Sequence, residues 1–323
     1  MNIRNVSIEE IKRKFFHFPV MYREVIDFFY LVRKKSVVVD ATLGGGGHSY
    51  LLYSSLNDGT FIAFDRDIRM IHKTLEFFNH EGIRPIVLNQ NIFDDIDVSL
   101  FFGRGFYIVN KRFSNIKNIL QKLNLKADFL VCDLGISMYH LKEDWGFSIN
   151  QSNLDMRLDE ASYNILDIIN NYPEKELADI IYQYGEERFS RFIAKEIVRR
   201  RPIKSAIDLK EIIIQVYFKK LKKHINEKVV QKTFQAFRIY INQELQELKL
   251  LLQDLKEILN PDGIAVFISF HSLEDRLIKN AFKDLKNQGF VLLTKKPLTP
   301  QEDELNINPA SHSAKIRAVQ CKI

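Results

Sequence analysis

The chain has 323 residues, of which 46% are apolar, and a formal net charge of +6. This length allows one large domain or two smaller ones with a substantial core. No apolar run is long enough to span a membrane, the charged N-terminus is unlike a signal peptide, and the two cysteines, Cys132 and Cys321, make neither a disulfide framework nor a metal cluster. We therefore expect a cytoplasmic protein and predict no metal site.

Apolar, β-branched runs predict four strands in the first half of the chain, with helical patterns between them. These strands are residues 37–40, 61–65, 85–88 and 129–133. A fifth strand at 264–270 follows a long helix with a single apolar stripe, and residues 290–295 and 315–321 predict an antiparallel hairpin. This order predicts an α/β fold with a doubly wound, Rossmann-like sheet. Residues 101–112 fit no element well.

A glycine-rich turn follows the first predicted strand, which ends at Asp40 and leads to Gly44–Gly47. Such a turn presents backbone N–H groups to a ligand, and Asp65 at the tip of the second strand can accept hydrogen bonds from two ribose hydroxyls. A dinucleotide fingerprint needs a third glycine where this chain has Ser49. The pattern D-x-x-x-G-x-G instead suits S-adenosylmethionine. A structural turn without a ligand is the alternative.

The region between the fourth and fifth strands has a helical apolar pattern over residues 162–218. We predict a helical domain at 144–232, inserted into a sheet domain formed by 1–143 and 233–323. From Arg188 to Arg238 the chain has 15 Lys and Arg against 4 Asp and Glu. This excess favours a polyanion partner, and a solvated helical face is the alternative.

Asp133 is the candidate catalytic residue, because ligands of open α/β sheets bind beyond the carboxyl ends of the strands. A carboxylate there can accept hydrogen bonds from a nucleobase amine and help its proton to leave. DNA amine methyltransferases usually carry two prolines after this position, whereas this chain has Leu134 and Gly135. A cap for the next turn is the alternative role of Asp133.

Three further groups have both a functional and a structural interpretation. His271 follows the fifth strand and can act as a base, but a hydrogen-bonded structural role is favoured. Residues 274–276 are expected to pair with one another on the next helix. Residues 155–158 and 234–238 combine apolar, amide and arginine groups, which either grip a flipped base or pack at a domain interface.

Ten segments resemble, in order and over nearly the whole chain, the bacterial ribosomal RNA small-subunit methyltransferase H family. They are residues 17–20, 40–49, 65–67, 133–137, 146–148, 154–157, 184–188, 234–245, 269–276 and 313–317. The resemblance implies methyl transfer from S-adenosylmethionine to the N4 amine of a cytidine in the decoding region of small-subunit ribosomal RNA. It also implies a methyltransferase sheet and an inserted helical domain that helps to hold the RNA, as free rRNA or as the 30S subunit.

The resemblance places the methyl donor against Gly46, Gly47 and His48. It places Asp65 on the donor's ribose and Asp133 near its adenine or methionine part.

Two more donor contacts are implied by the resemblance. One falls at Asn91 in the third-strand loop, and the other at His140, where the family has a glutamine. The stretch between Asn91 and Asp128 is longer than in the family, so residues 101–112 are interpreted as an insertion.

Other functions stay open at the level of sequence. A DNA or small-molecule methyltransferase is disfavoured by the absent proline pair and the basic insertion. An RNA-binding ribosome assembly factor with a vestigial cofactor site is disfavoured by the intact glycines and Asp133, and a dehydrogenase by Ser49. The sequence also leaves open whether the protein forms a homodimer.

Overall fold

The structure is a computed structural model that describes residues 7–32, 35–88, 103–160, 163–222 and 227–322. The chain divides into two compact units. The first unit comprises Met1–Ser137 and Leu245–Ile323, and the second comprises Met138–Glu244. Among the described helices, none combines the length and the apolar character that crossing a bilayer requires.

An eight-stranded sheet forms the centre of the first unit. In chain order its strands are β1 Lys35–Asp40, β2 Asp58–Asp65, β3 Ile86–Leu88, β4 Gly105–Asn110, β5 Ala127–Asp133, β6 Leu259–Ser269, β7 Phe290–Leu292 and β8 Lys315–Cys321. Their spatial order is β3-β4-β2-β1-β5-β6-β8-β7. β8 runs antiparallel to β6 and β7, and the strands from β3 to β6 are parallel. The predicted doubly wound α/β fold with an antiparallel end is confirmed.

The interpretation of residues 101–112 as an insertion is wrong for the part that the structure describes. Gly105–Asn110 is the internal strand β4, which pairs with β2 from Thr60↔Gly105 to Asp65↔Asn110. The predicted third strand at 85–88 is present as the short strand β3, which lies at the edge of the sheet and pairs with β4. The apolar run of β4 is only four residues long, and the glycines before it resemble a turn.

Helices cover both faces of this sheet. In the first unit they are α1 Ile8–Lys14, α2 Tyr22–Phe29, α3 Gly47–Ser55, α4 Ile68–His80, α5 Ile116–Lys122, α12 Glu244–Ile258 (whose first residue belongs to the second unit), α13 Ser272–Lys286 and α14 Glu302–Ile307. Alternate strand residues point to opposite faces. Accordingly Val38 and Phe61 belong to one buried cluster, and Val39 and Ile62 belong to the other.

The second unit is helical in the part of it that the structure describes. Its helices are α6 Met138–Lys142, α7 Ile165–Asn171, α8 Glu174–Gly185, α9 Ser190–Arg199, α10 Ala206–Leu221 and α11 Glu227–Asn242. The predicted insertion at 144–232 lies within this unit, and α11 continues it beyond residue 232. A Cβ on Gly185 would lie 2.8 Å from the Lys232 carbonyl oxygen, so α8 and α11 pack in close contact.

Candidate functional site

The glycine turn connects β1 to α3 at the carboxyl edge of the parallel strands. Gly44 and Gly46 have φ angles of +49° and +77°, a region that favours glycine. A Cβ on Gly46 would lie 2.6 Å from Thr74 Cγ2 and 3.1 Å from the Phe78 ring. The backbone of the turn is therefore fixed against α4, and a side chain at Gly46 is excluded.

The chain's own N-terminal segment occupies the space beside the other two glycines. A Cβ on Gly45 would lie 2.7 Å from His17 Cβ, and a Cβ on Gly47 would lie 2.9 Å from Pro19 Cβ. The sequence predicts that this turn presents backbone N–H groups to a ligand. At these two positions the structure shows a protein segment in close contact, so packing within the chain accounts for both glycines.

Asp40, at the end of β1, is buried and holds the start of the turn. Its Oδ1 accepts from the Thr42 N–H at 3.0 Å, and its Oδ2 accepts from the Ser49 hydroxyl at 2.6 Å. Burial raises the pKa of Asp40 to about 6, although both hydrogen bonds act in the opposite direction. Ser49, which departs from the dinucleotide fingerprint, thus has a defined partner in the turn.

Asp65 ends β2 and lies directly beside the glycine turn. Its Oδ2 accepts from the Gly44 N–H at 2.9 Å, and its Oδ1 accepts from the Asp67 N–H at 2.8 Å. Each carboxylate oxygen keeps acceptor capacity for a second donor such as a ribose hydroxyl. Burial, and secondarily the charges of Asp67 and Asp40, raise the pKa of Asp65 to about 7.

Asp133 ends β5 and lies next to the same turn, because its N–H donates to Thr42 Oγ1 at 2.8 Å. Its Oδ2 is 3.4 Å from His48 Nδ1, while His48 Nε2 donates to the Val20 carbonyl at 2.9 Å. Burial lowers the pKa of His48 to about 4. Burial first, and then the charges of nearby carboxylates including Asp40, raise the pKa of Asp133 well above its usual value.

These carboxylates suit a cationic nucleoside. Asp133 Oδ1 is buried and has no hydrogen-bond partner within the described part of the chain, so it can accept from an ammonium group. S-adenosylmethionine carries a sulfonium and an ammonium group, which Asp40, Asp65 and Asp133 attract when ionised. A dinucleotide would bring a negatively charged pyrophosphate into this acidic environment. The residues present therefore fit S-adenosylmethionine better than a nicotinamide dinucleotide.

The remaining two predicted donor contacts, Asn91 and His140, stay predictions. Asn91 lies outside the described residues. His140 is in the second unit. Its ring centroid lies 5.5 Å from that of Trp145 and 4.8 Å from that of Phe147. The predicted cluster in the first unit therefore consists of the glycine turn, His48, Asp65 and Asp133.

Sequence reasoning missed the loop after β4. The Asn110 side chain donates to the Asp65 carbonyl at 3.0 Å and to the Arg66 carbonyl at 3.2 Å. Because β4 is the direct neighbour of β2, this loop occupies the place that was assigned to the loop after the third strand. The apolar run at 106–109, followed by a polar asparagine, was the available signal.

His271 is the N-cap of α13, in agreement with the favoured structural role. Its Nε2 lies 3.0 Å from Glu274 Oε1, and Glu274 Oε2 accepts from the Phe270 N–H at 2.9 Å. The expectation that residues 274–276 pair with one another is not met for Asp275. That carboxylate pairs with Arg317 on β8, with Nε and Oδ1 2.7 Å apart.

The mixed arginine segments of the second unit form local ion pairs. Arg157 pairs with Asp155, with Nε and Oδ1 2.5 Å apart, and Arg238 pairs with Glu244 at 2.9 Å. Phe234 is 4% exposed and buried in the unit. For the 234–238 segment this burial supports the packing interpretation rather than base stacking.

The fold and the site together define an S-adenosylmethionine-dependent methyltransferase. A family model described as the MraW methylase family matches residues 14–322, and the chain belongs to this family. It is similar to proteins named ribosomal RNA small subunit methyltransferase H. The one from Persephonella marina is 37% identical over 94% of this chain and 98% of the relative, and the one from Endomicrobium trichonymphae is 39% identical over 94% and 98%. The predicted family resemblance is confirmed.

Among solved structures, the chain aligns with an rRNA methylase from Streptococcus thermophilus at a TM-score of 0.42 and 10% identity, covering 92% of this chain and 93% of that one.

Proposed function

We propose that this protein transfers the methyl group of S-adenosylmethionine to the N4 amine of a cytidine in the decoding region of small-subunit ribosomal RNA, in the cytoplasm. The observation that carries the proposal is the convergence of Asp40, Asp65 and Asp133 on one glycine turn. The names of its relatives support the RNA substrate, and so does the basic segment 188–238.

The glycine turn and Asp65 hold the donor in this proposal. The backbone of Gly46, Gly47 and His48 forms the end of the turn and the first residues of α3. The Gly46 N–H donates to the Leu43 carbonyl at 2.8 Å, whereas the first N–H groups of a helix, here those of Gly47 and His48, lack intrahelical partners. Asp65 accepts hydrogen bonds from the two ribose hydroxyls, which fixes the sugar beside Gly44. When bound, the donor supplies an electrophilic methyl group on its sulfonium.

Asp133 is the candidate group for the target amine. The lone pair of the exocyclic amine of cytosine is delocalised into the ring, so an acceptor that hydrogen-bonds the amine proton increases its nucleophilicity. Asp133 Oδ1 is a buried acceptor without a hydrogen-bond partner among the described residues. The raised pKa of this carboxyl suits it to take up the proton that the amine loses.

Asp133→Asn separates the two roles that Asp133 can have. If the carboxylate serves the amine, methyl transfer falls while the dissociation constant for S-adenosylmethionine is unchanged. If it serves the donor, calorimetry will show weaker donor binding. A variant with wild-type values for both would exclude Asp133 from the site.

The substrate is tested by incubating the protein with radiolabelled S-adenosylmethionine and, in parallel, naked small-subunit rRNA, small ribosomal subunits, or DNA. Label in RNA, followed by nucleoside analysis that finds N4-methylcytidine, supports the proposal. Label in DNA alone would establish a DNA methyltransferase. Tight RNA binding without transfer or donor binding would establish an assembly factor. Sedimentation of the same preparation measures whether the protein is a homodimer.

A further inference from the structure

The basic cluster of the second unit contains cations with different roles. Arg201 donates from Nε to the Ile169 carbonyl at 2.8 Å and therefore supports the packing of α7. Arg188, Lys219 and Lys220 are exposed. Only cations of this second kind are accessible to an external polyanion.

Two aromatic rings lie among these exposed cations. The ring centroids of Phe189 and Phe192 are 6.3 Å apart, and Phe192 is 45% exposed. Arg188 Cζ lies 4.8 Å from the Phe189 centroid, and Lys220 Nζ lies 3.3 Å from the Phe192 centroid. We call Arg188, Phe189, Phe192, Lys219 and Lys220 the aromatic–cation platform. Each ring of the platform thus has a positive group over it.

Buried hydrogen bonds fix the base of the platform. Glu187 is 2% exposed, and its Oε1 accepts from the Phe189 N–H at 2.8 Å and from the Tyr217 hydroxyl at 2.5 Å. The rings of Phe189 and Tyr217 are in edge contact at 4.8 Å. The Phe189 side of the platform is therefore rigid before any ligand arrives, which lowers the entropy cost of binding.

The adjacent carboxylate does not cancel the positive charge of the platform. Glu196 pairs with Arg199 at 2.5 Å, and Lys219 Nζ lies 3.6 Å from the same carboxylate. The hydrogen bond from Arg199 is the main cause that lowers the pKa of Glu196 to about 2. Glu196 is thus compensated by Arg199 and by Arg200, whose Nε lies 2.9 Å from Oε1. Lys220 is exposed and lies over the ring of Phe192.

We propose that the aromatic–cation platform binds unpaired nucleotides of the RNA substrate, with a base stacked on Phe192 and phosphates contacted by Lys219, Lys220 and Arg188. This inference rests on the proposed RNA substrate and names the surface that holds it. Unpaired bases present a free π face, whereas the bases of a duplex are already stacked. The combination of exposed ring and exposed cations therefore fits single-stranded RNA.

The test measures the affinity of the full-length protein for a short unstructured oligoribonucleotide and for its duplex form. We expect Phe192→Ala to weaken binding of the unpaired RNA by about five- to 150-fold, since stacking on one base contributes that much. Phe192→Trp should preserve the affinity. Tyr182→Ala is the matched control, because Tyr182 is 63% exposed on α8 of the same unit.

Several outcomes would overturn the platform. Wild-type affinity of a folded Phe192→Ala variant would do so, as would equal binding of unpaired and duplex RNA, or an equal loss in Tyr182→Ala. Circular dichroism verifies folding, and if Phe192→Ala unfolds, Phe192→Leu removes the π face while keeping apolar bulk. Methyl transfer to rRNA is measured in parallel. RNA binding that depends on Phe192, without methyl transfer, would support the platform and refute the proposed reaction. Methyl transfer with RNA binding that does not depend on Phe192 would support the reaction and refute the platform.

Discussion

The proposed donor site of the first unit and the proposed aromatic–cation platform of the second unit differ in the sign of their charged groups and in how far these groups are buried. The carboxylate of Asp40 is buried, and burial raises its pKa to about 6. Lys219 and Lys220 are exposed to solvent. Buried charges respond mainly to protonation, whereas exposed charges respond mainly to salt. Donor binding should therefore depend on pH, and RNA binding should depend on ionic strength.

The largest effect is expected from Gly46→Ala. The new Cβ would combine a positive φ with a contact of 2.6 Å to Thr74, which should lower the free energy of unfolding by about 2–5 kcal/mol and abolish donor binding. Gly82→Ala is the matched control, because Gly82 has a φ of +73° and nothing within 4 Å of the added atom. Chemical denaturation measures both variants. Equal losses would mean that close packing at Gly46 contributes nothing.

Asp65→Ala tests the ribose contact. Loss of charge-assisted hydrogen bonds should weaken donor binding by about 1.5–3 kcal/mol, with methyl transfer still detectable at saturating donor. Calorimetric titration with S-adenosylmethionine measures the change. Asp303→Ala, which removes an exposed partner of Arg23 elsewhere in the first unit, is the control. Unchanged affinity in Asp65→Ala would refute the ribose assignment.

The pH dependence of donor binding and that of stability should have opposite signs. The pKa of Asp65 in the free protein is about 7, so affinity for a donor that needs the carboxylate should rise with pH, by at most about tenfold per unit below pH 7. Because that pKa is raised on folding, the ligand-free protein holds the proton more tightly than the unfolded chain. Its stability should therefore decline as pH rises from about 4 through 7.

Titrations at several pH values, with unfolding measured in the same buffers, check both trends. Asp65→Asn should flatten them between about pH 4 and 7. Parallel pH curves for the variant and the wild type would show that another group, such as Asp40, controls binding.

The smallest effect is expected from single exposed cations. Lys195→Gln on α9 should reduce the salt slope of unpaired RNA binding by up to about 0.7, the value for one lost phosphate contact. Lys249→Gln, at an exposed position on α12, is the control. Donor affinity should stay nearly constant over the same range of salt. Equal slopes for wild type and Lys195→Gln would remove Lys195 from the RNA surface.

The sequence was sufficient to predict most of the sheet and the three carboxylates, because strand ends have a simple meaning in parallel sheets. Asp40, Asp65 and Asp133 each end an apolar run, and parallel strands place their carboxyl ends at one edge. The local apolar pattern was therefore sufficient to predict that these three carboxylates, which are distant in sequence, lie at the same edge of the sheet. The side-chain partners of these carboxylates, such as Ser49 for Asp40, depend on three-dimensional packing and required the structure.

Two features escaped prediction for physical reasons. Strand β4 has only four apolar residues after Gly105. This apolar run is too short to distinguish the strand from the turn and loop residues around it. The packing of His17 against Gly45 and of Pro19 against Gly47 joins residues that are distant in sequence and have no periodic relation. Contacts of this kind are set by the whole fold rather than by local propensity.

The packing of His17 and Pro19 against the glycine turn has a consequence for biosynthesis. The Met21 N–H, directly after residues 17–20, donates to Glu304 Oε1 at 2.9 Å, and both residues are buried. The partner of Met21 is therefore synthesised 283 residues later. A nascent chain lacks that anchor until Glu304 has left the ribosome, so full assembly of the segment beside the glycine turn is postponed until then.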